Sequence, residues 1–321
     1  MFNTNKLSRR LSSSLLATLL LAGTPAAHGI ANAAPAAAVS APVAQTVFPT
    51  AEAAVDALVA ALGRHDNSGF RALMGPGGEK LLESGDKVAD ENSRQRFLAE
   101  YAASHKITTQ SDGRAILTIG ANDWPLPIPI VQANGNWHFD ATAGAQEIIN
   151  RRIGRNEIAA IRTSLAFVDG EDAYHERFGS YAMRLFSSPD KYDGLYWEPG
   201  PGEPESPLGP LVAQAVDEGY PGASAAGKAL PYQGYYFRIL KGQGPSAPGG
   251  RKTYISGTQM AGGYALLAWP AVYGSSGITS FMVNKDGIVF QKDLGPDTSK
   301  IAAGISLYDP DITWARVDIT P

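Results

Sequence analysis

Apolar positions along this chain change period several times, and each change marks an element. After Thr50, the residues Ala54, Leu58 and Leu62 fall on one stripe with Val55 and Val59 beside it, which predicts a helix capped by Thr50 and ended at Gly63. A second short helix, around Phe70 to Met74, stops at the breaker Gly75-Pro76-Gly77-Gly78. A third, near Ser93 to Ala103, turns Phe97, Leu98 and Tyr101 inward. The period then shortens to two. Ala115 to Ile119 alternates, and Ile128 to Gln132 pairs with Trp137 to Asp140 across Asn134-Gly135, a type I′ hairpin signal.

From Ala145 to about Tyr181 the helical period returns, with Ile149, Ile153, Ile161, Leu165 and Val168 on one side and Tyr174 and Phe178 extending it. An irregular Pro/Gly-rich segment comes next at 187–231, with a short helix expected over Leu211 to Val216. Short strands then recur at Tyr235–Leu240, Tyr264–Trp269, Ser280–Val283 and Ile288–Gln291. Asp286-Gly287 forms the last hairpin turn, and Trp314–Val317 is a closing segment. The pattern is α+β in two domains: residues 48–143 as three helices plus a curved antiparallel sheet, and 144–321 as a long helix packed on an antiparallel β-meander.

The N-terminus changes the picture of where this protein works. Lys6, Arg9 and Arg10 precede an apolar run from Leu11 to Ala22, and Ala31-Asn32-Ala33 is a small-x-small site, so residues 1–33 read as a cleaved signal peptide. Residues 34–47 form an Ala/Pro-rich leader. The expected location is periplasmic or secreted, without stable membrane insertion after cleavage, since no later apolar run is long enough to span a bilayer. With no cysteine in 321 residues there is no disulfide framework, thiolate metal site or cysteine nucleophile. The formal net charge is −4, and residues 1–33 carry three basic and no acidic side chains, which leaves −7 on the rest. Such acidity argues against a nucleic-acid partner.

Candidate chemistry is sparse. His138 and Asp140 share one strand face by period-two spacing and could act as a base with its partner; the alternative is an edge strand with both turned outward. His65-Asp66 ends the first helix, and Asp123-Trp124-Pro125 precedes the hairpin. On the long helix, Arg152, Arg155, Asn156 and Glu157 could hold an anion or form a solvated face. In the long loop, Tyr192, Tyr196 and Trp197 beside Asp193 offer an aromatic partner surface. Asp190 with Asp193 supplies too few oxygens for calcium. Ser-x-x-Lys spacings at Ser84–Lys87 and Ser188–Lys191 lie among turn formers and lack companion motifs. No catalytic constellation, cofactor or metal site is assigned.

Three resemblances bear on this pattern. Arg152-Ile153-Gly154-Arg155-Asn156-Glu157, Asp193-Gly194-Leu195-Tyr196-Trp197, Ser206-Pro207-Leu208-Gly209-Pro210 and Gly234 to Leu240 resemble the bacterial family catalogued as domain of unknown function 2950, over nearly the whole mature chain. That resemblance implies no activity. The order of helices and strands in 48–143 resembles the cone-shaped nuclear-transport-factor-2-like fold, which often holds a ligand or an acid/base pair.

Arg155 to Ile161, Tyr174, Gly234-Tyr235-Tyr236-Phe237, Ala268-Trp269-Pro270, Ser280 to Val283 and Asp286 to Val289 resemble, in their order, type IV pilin and pseudopilin heads. Here a soluble domain stands where pilins carry their filament-forming half-helix, which implies a head that does not polymerise by that route. The expectation is an exported, non-catalytic cell-envelope protein that binds or assembles with a partner, its oligomeric state left open. The alternatives are a periplasmic small-molecule binder or a hydrolase using the cone.

Overall fold

The computed structural model describes residues 45–78, 80–222 and 230–318. The segment read as a signal peptide (1–33), the leader up to 44 and part of the long loop (223–229) lie outside the described residues.

The chain begins with helices set by their caps. Thr50 is extended, and its Oγ1 accepts from the Ala53 amide at 3.1 Å to start α1, Ala51–Gly63. Asp66 does the same for α2, Asn67–Met74, with Oδ1 accepting from Gly69 N at 2.8 Å. Asp86 caps α3, Lys87–Ala103. The first sheet contains β1 (His105–Thr109), β2 (Arg114–Ile119), β3 (Trp124–Pro125), β4 (Ile130–Ala133) and β5 (Asn136–Phe139). All pairings are antiparallel, in the order β1-β2-β4-β5 with β3 also on β2.

On β2, Ala115, Leu117 and Ile119 are buried while their neighbours are not, the period-two alternation of a half-covered sheet. Asn134 and Gly135 both have positive φ, at 51° and 78°, so the expected type I′ turn is present. β1 escapes the sequence pattern because its sequence, HKITT, buries no side chain fully; it is a polar edge.

One helix, α4 (Ala141–Phe178), runs through 38 residues. It starts four residues before the expected Ala145, because the Asp140 carboxylate accepts from Ala143 N at 3.1 Å and caps it. It ends at Gly179, whose φ of 71° supplies a left-handed stop. Gly144 lies inside the first turns rather than breaking them. A Cβ there would sit 2.1 Å from Pro127 O, so glycine lets the helix touch the backbone before β4. The boundary drawn at 143/144 therefore falls within α4. Ala141 and Ala145 join the core of α1, α2 and the first sheet; Ala160, Phe167, Val168 and Tyr174 join a second core.

That second core forms around α5 (Gly209–Asp217), β6 (Tyr235–Leu240), the small pairs β7 (Gly242–Gln243) with β8 (Lys252–Thr253) and β9 (Ile255–Ser256) with β10 (Gln259–Met260), then β11 (Ala265–Pro270), β12 (Thr279–Asn284), β13 (Phe290–Asp293), α6 (Thr298–Gly304) and β14 (Ala315–Arg316). Its main sheet has the order β14-β13-β12-β11-β6, antiparallel throughout. α4 packs on β11 and β12 and α6 packs on β11, so Ala265 to Ala268 are all buried; the run is continuous because helices cover both faces. The expected strand from Ile288 starts instead at Phe290, since Met282 pairs with Phe290 and the turn spans more than Asp286-Gly287.

Polar bolts fix the middle of α4 to the turn before β12. Asn156 Nδ2 donates to Ser276 O at 2.9 Å, and Glu157 Oε1 accepts from the amides of Ile278 and Thr279 at 3.1 and 3.0 Å. The described residues all fall in a single compact unit.

Candidate functional site

The helix α3 is unusual in burying no residue fully, although Phe97, Leu98 and Tyr101 pack against the first core. It is held by its ends. At the start, the buried Asp86 carboxylate accepts from Val88 and Ala89 amides, the Tyr220 hydroxyl and Gly234 N. A turn later, Asn92 Nδ2 donates to Glu218 O at 2.8 Å; at the end, Glu100 O accepts from Ser104 N and Gly120 N. Beneath the helix lies an unfilled cavity of about 460 Å³. Leu58 and Leu62 of α1, Phe70 and Met74 of α2, Ile128 before β4 and Phe97 of α3 supply its apolar wall.

The rim is chemically different. Ile148, Arg151, Arg152 and Arg155 recur at helical spacing on α4, so one face of that helix meets the cavity, and Arg94 and Arg96 face it from α3. Five arginines and two carboxylates, Asp90 and Glu100, line the space, so its charge is positive. Three of the arginines have work elsewhere. Arg94 pairs with Glu91. Arg151 Nε donates to Glu147 at 2.8 Å, and its guanidinium lies 5.6 Å from the Trp124 ring centre. Arg152 is buried and donates to Lys80 O, Leu81 O, Ser275 O and Ser275 Oγ, with Asp90 4.0 Å away.

Arg96 and Arg155 remain, and among the described residues neither has a hydrogen-bond or ion-pair partner. Both are open to solvent on one side. Partial burial, then the like charges of Arg96 and Arg151, lowers the Arg155 pKa. Burial raises the Asp90 carboxyl, even though Oδ2 accepts from Ser84 N at 3.0 Å. A second, more polar cavity of about 580 Å³ lies on the other side of α3, lined by Asn92, Gln95, Asn156 and Gln233. The two cavities share Ser93, Arg96, Arg152 and Arg155.

The sequence candidates scatter. Arg152 and Arg155 meet at this site, one as a bolt and one at the rim, while Glu157 accepts from the amides at the start of β12. His138 and Asp140 do not line either cavity: His138 lies on β5 opposite Val131, and Asp140 caps α4. His65 bonds Glu91 at 3.2 Å, and Asp66 caps α2. In the loop, Trp197 is 6% exposed, with Nε1 donating to Pro204 O, and Tyr196 packs its ring 5.8 Å from Phe186. Asp193 accepts from Ser188 N and Oγ. Only Tyr192 of that group, 40% exposed, presents itself outward, 6.4 Å from the Phe178 ring.

Sequence reasoning missed Arg96 and the bolt made by Asp86 and Tyr220. A signal existed for Arg155: its neighbours three and four positions away are Arg151, Arg152, Ile158 and Ala159, none of them a carboxylate. Among the described residues, no cluster of three His, Asp or Glu could hold a metal ion, and no helix is long and apolar enough to cross a membrane.

The chain belongs to the family described as protein of unknown function (DUF2950), whose model matches residues 45–317. No curated protein and no solved structure matches it.

Proposed function

We propose that this protein is an exported binding protein that holds a small molecule in the cavity beneath α3. The observation that carries this is an apolar space of about 460 Å³ that the protein's own side chains leave unfilled, within the range that encloses small ligands. The lining favours binding over turnover. Its basic groups are arginines, which stay charged at neutral pH and do not relay protons, and among the described residues no histidine lines it. Export is supported by the basic and apolar order of residues 1–33. The order of elements supports a cone of the nuclear-transport-factor-2-like type for 48–143 and a pilin-like head for the rest.

Native mass spectrometry of the protein purified from its own host tests this directly. A mass excess that disappears in Ser93→Trp, which places an indole where the two cavities meet, is the expected result. A wild-type protein with no bound mass and no small molecule in its denatured extract would overturn the reading.

A second reading has its own observation. Tyr192 and Phe178 are 40% and 38% exposed and lie beside the Trp197 ring, an aromatic patch suited to a protein partner in the envelope. A partner that co-purifies with wild type and is lost in Tyr192→Ser would support it; retention in that variant would remove the patch from consideration.

A further inference from the structure

Two guanidiniums without a partner among the described residues need an explanation. Arg96 and Arg155 come from different helices, and each is set where the apolar cavity opens into the polar one. Holding like charges together at the edge of an apolar space costs free energy unless an anion sits between them. The other arginines at the site do not share this condition, because Arg94, Arg151 and Arg152 have acceptors within the protein.

Three of the carboxylates around the site have partners of their own. Glu91 and Glu147 serve Arg94 and Arg151 and Asp90 serves the Ser84 amide, while Glu100, four residues along α3 from Arg96, also lines the cavity but makes no ion pair with either arginine. The site thus offers forked N–H donors to something that no described residue supplies.

The geometry points to an amphipathic organic anion as the ligand, with its carboxylate or phosphate head between Arg96 and Arg155 and its apolar body in the cavity floored by Leu58, Leu62, Phe70 and Met74. This assignment rests on the reading of the cavity as a ligand site, and it adds the chemical class. The apolar wall excludes a fully polar anion such as inorganic phosphate from the interior, because such an ion would leave that wall unused. The arginine pair disfavours a cation of the same shape. The polar cavity beyond, lined by Asn92, Gln95 and Gln233, gives the head group a hydrated exit.

Calorimetric titration with three probes of equal chain length tests the class: decanoate, 1-decanol and decyltrimethylammonium. Decanoate should bind about tenfold or more tightly than 1-decanol, with affinity that falls as salt rises, and decyltrimethylammonium should bind weakest. In Arg96→Gln/Arg155→Gln, decanoate should drop to the level of 1-decanol while 1-decanol is unchanged. Both residues are exposed and lack partners among the described residues, so that variant should keep the wild-type circular dichroism and thermal midpoint. Equal binding of decanoate and 1-decanol, or an unaltered decanoate affinity in the double variant, overturns the anion assignment and leaves the cavity reading standing. Failure of all three probes to bind overturns both.

Discussion

The Tyr220 hydroxyl donates to the Asp86 carboxylate at 2.8 Å across 134 residues of chain, and both side chains are buried. The same carboxylate oxygen accepts from Gly234 N at 2.8 Å, and its other oxygen caps α3. One aspartate therefore sets the start of the helix that roofs the cavity and ties it to the second core. Asp86→Ala should lower stability by about 3 kcal/mol or more, since it strands buried donors and removes a cap, while Tyr220→Phe should cost about 1–2 kcal/mol. Urea unfolding of both variants and of the double variant checks this; the double should cost less than the sum, because the two groups share one interaction.

The two nearby arginines of α4 should behave oppositely. Arg152 satisfies three backbone carbonyls from two distant segments, so Arg152→Ala should destabilise by about 3–5 kcal/mol, and Arg152→Lys should restore little because a point charge cannot reproduce the fork. Arg155→Ala should be neutral to slightly stabilising, within about 0.5 kcal/mol, since it relieves like-charge repulsion and breaks no bond. Thermal midpoints of the two variants at low salt separate bolt from rim. Equal losses would show that Arg155 is structural.

Element periodicity in the sequence located nearly every helix and the central strands, because Leu58, Leu117, Phe281 and their neighbours track the burial of their faces. Polar residues were less legible. His138 and Asp140 share a strand face by spacing, yet Asp140 ends the strand and begins a helix, a role fixed by the Ala143 amide one turn later. The loop aromatics suggested a surface, but Trp197 turns inward because Pro204 O gives its indole N–H a buried acceptor. Arg152 and Arg155 looked alike along the helix. Only the loops that fold back at Lys80 and Ser275, 72 and 123 positions away from Arg152, distinguish them. Such long-range partners leave no local periodic trace.

Two glycines of α4 should respond to alanine with opposite signs. At Gly144 a Cβ would lie 2.1 Å from Pro127 O and 2.6 Å from Ile128 N, so the helix must move away from the backbone it touches. Gly144→Ala should cost about 1–3 kcal/mol by overpacking. Nothing lies within 4 Å of a Cβ at Gly154, so Gly154→Ala should gain about 0.5–1 kcal/mol from helix propensity. Denaturation midpoints decide it, and a stabilising Gly144→Ala would show that the helix can shift freely.

Glu171 should make stability depend on pH. It is fully buried in α4; Oε2 accepts from Ala182 N at 2.7 Å, and Oε1 has no partner among the described residues. Burial pushes its carboxyl from an ordinary 4.5 up to about 8, opposed by the Ala182 bond and aided by the neighbouring charge of Asp172. Because the folded pKa lies above the unfolded one, the folded state holds the extra proton between these values. Stability from this group is complete below pH 4.5, declines as pH rises, and is lost above about 8. Asp172 accepts from the Tyr264 hydroxyl at 3.0 Å, and burial raises the pKa of Tyr264 and of neighbouring Tyr174 and Tyr181, so these tyrosines stay neutral through the window. Glu171→Gln removes the titration. Its stability should fall less between about pH 5 and about pH 9 than that of wild type, with a gain at the upper end on the order of a few kcal/mol. Parallel pH profiles for wild type and Glu171→Gln would contradict the assignment.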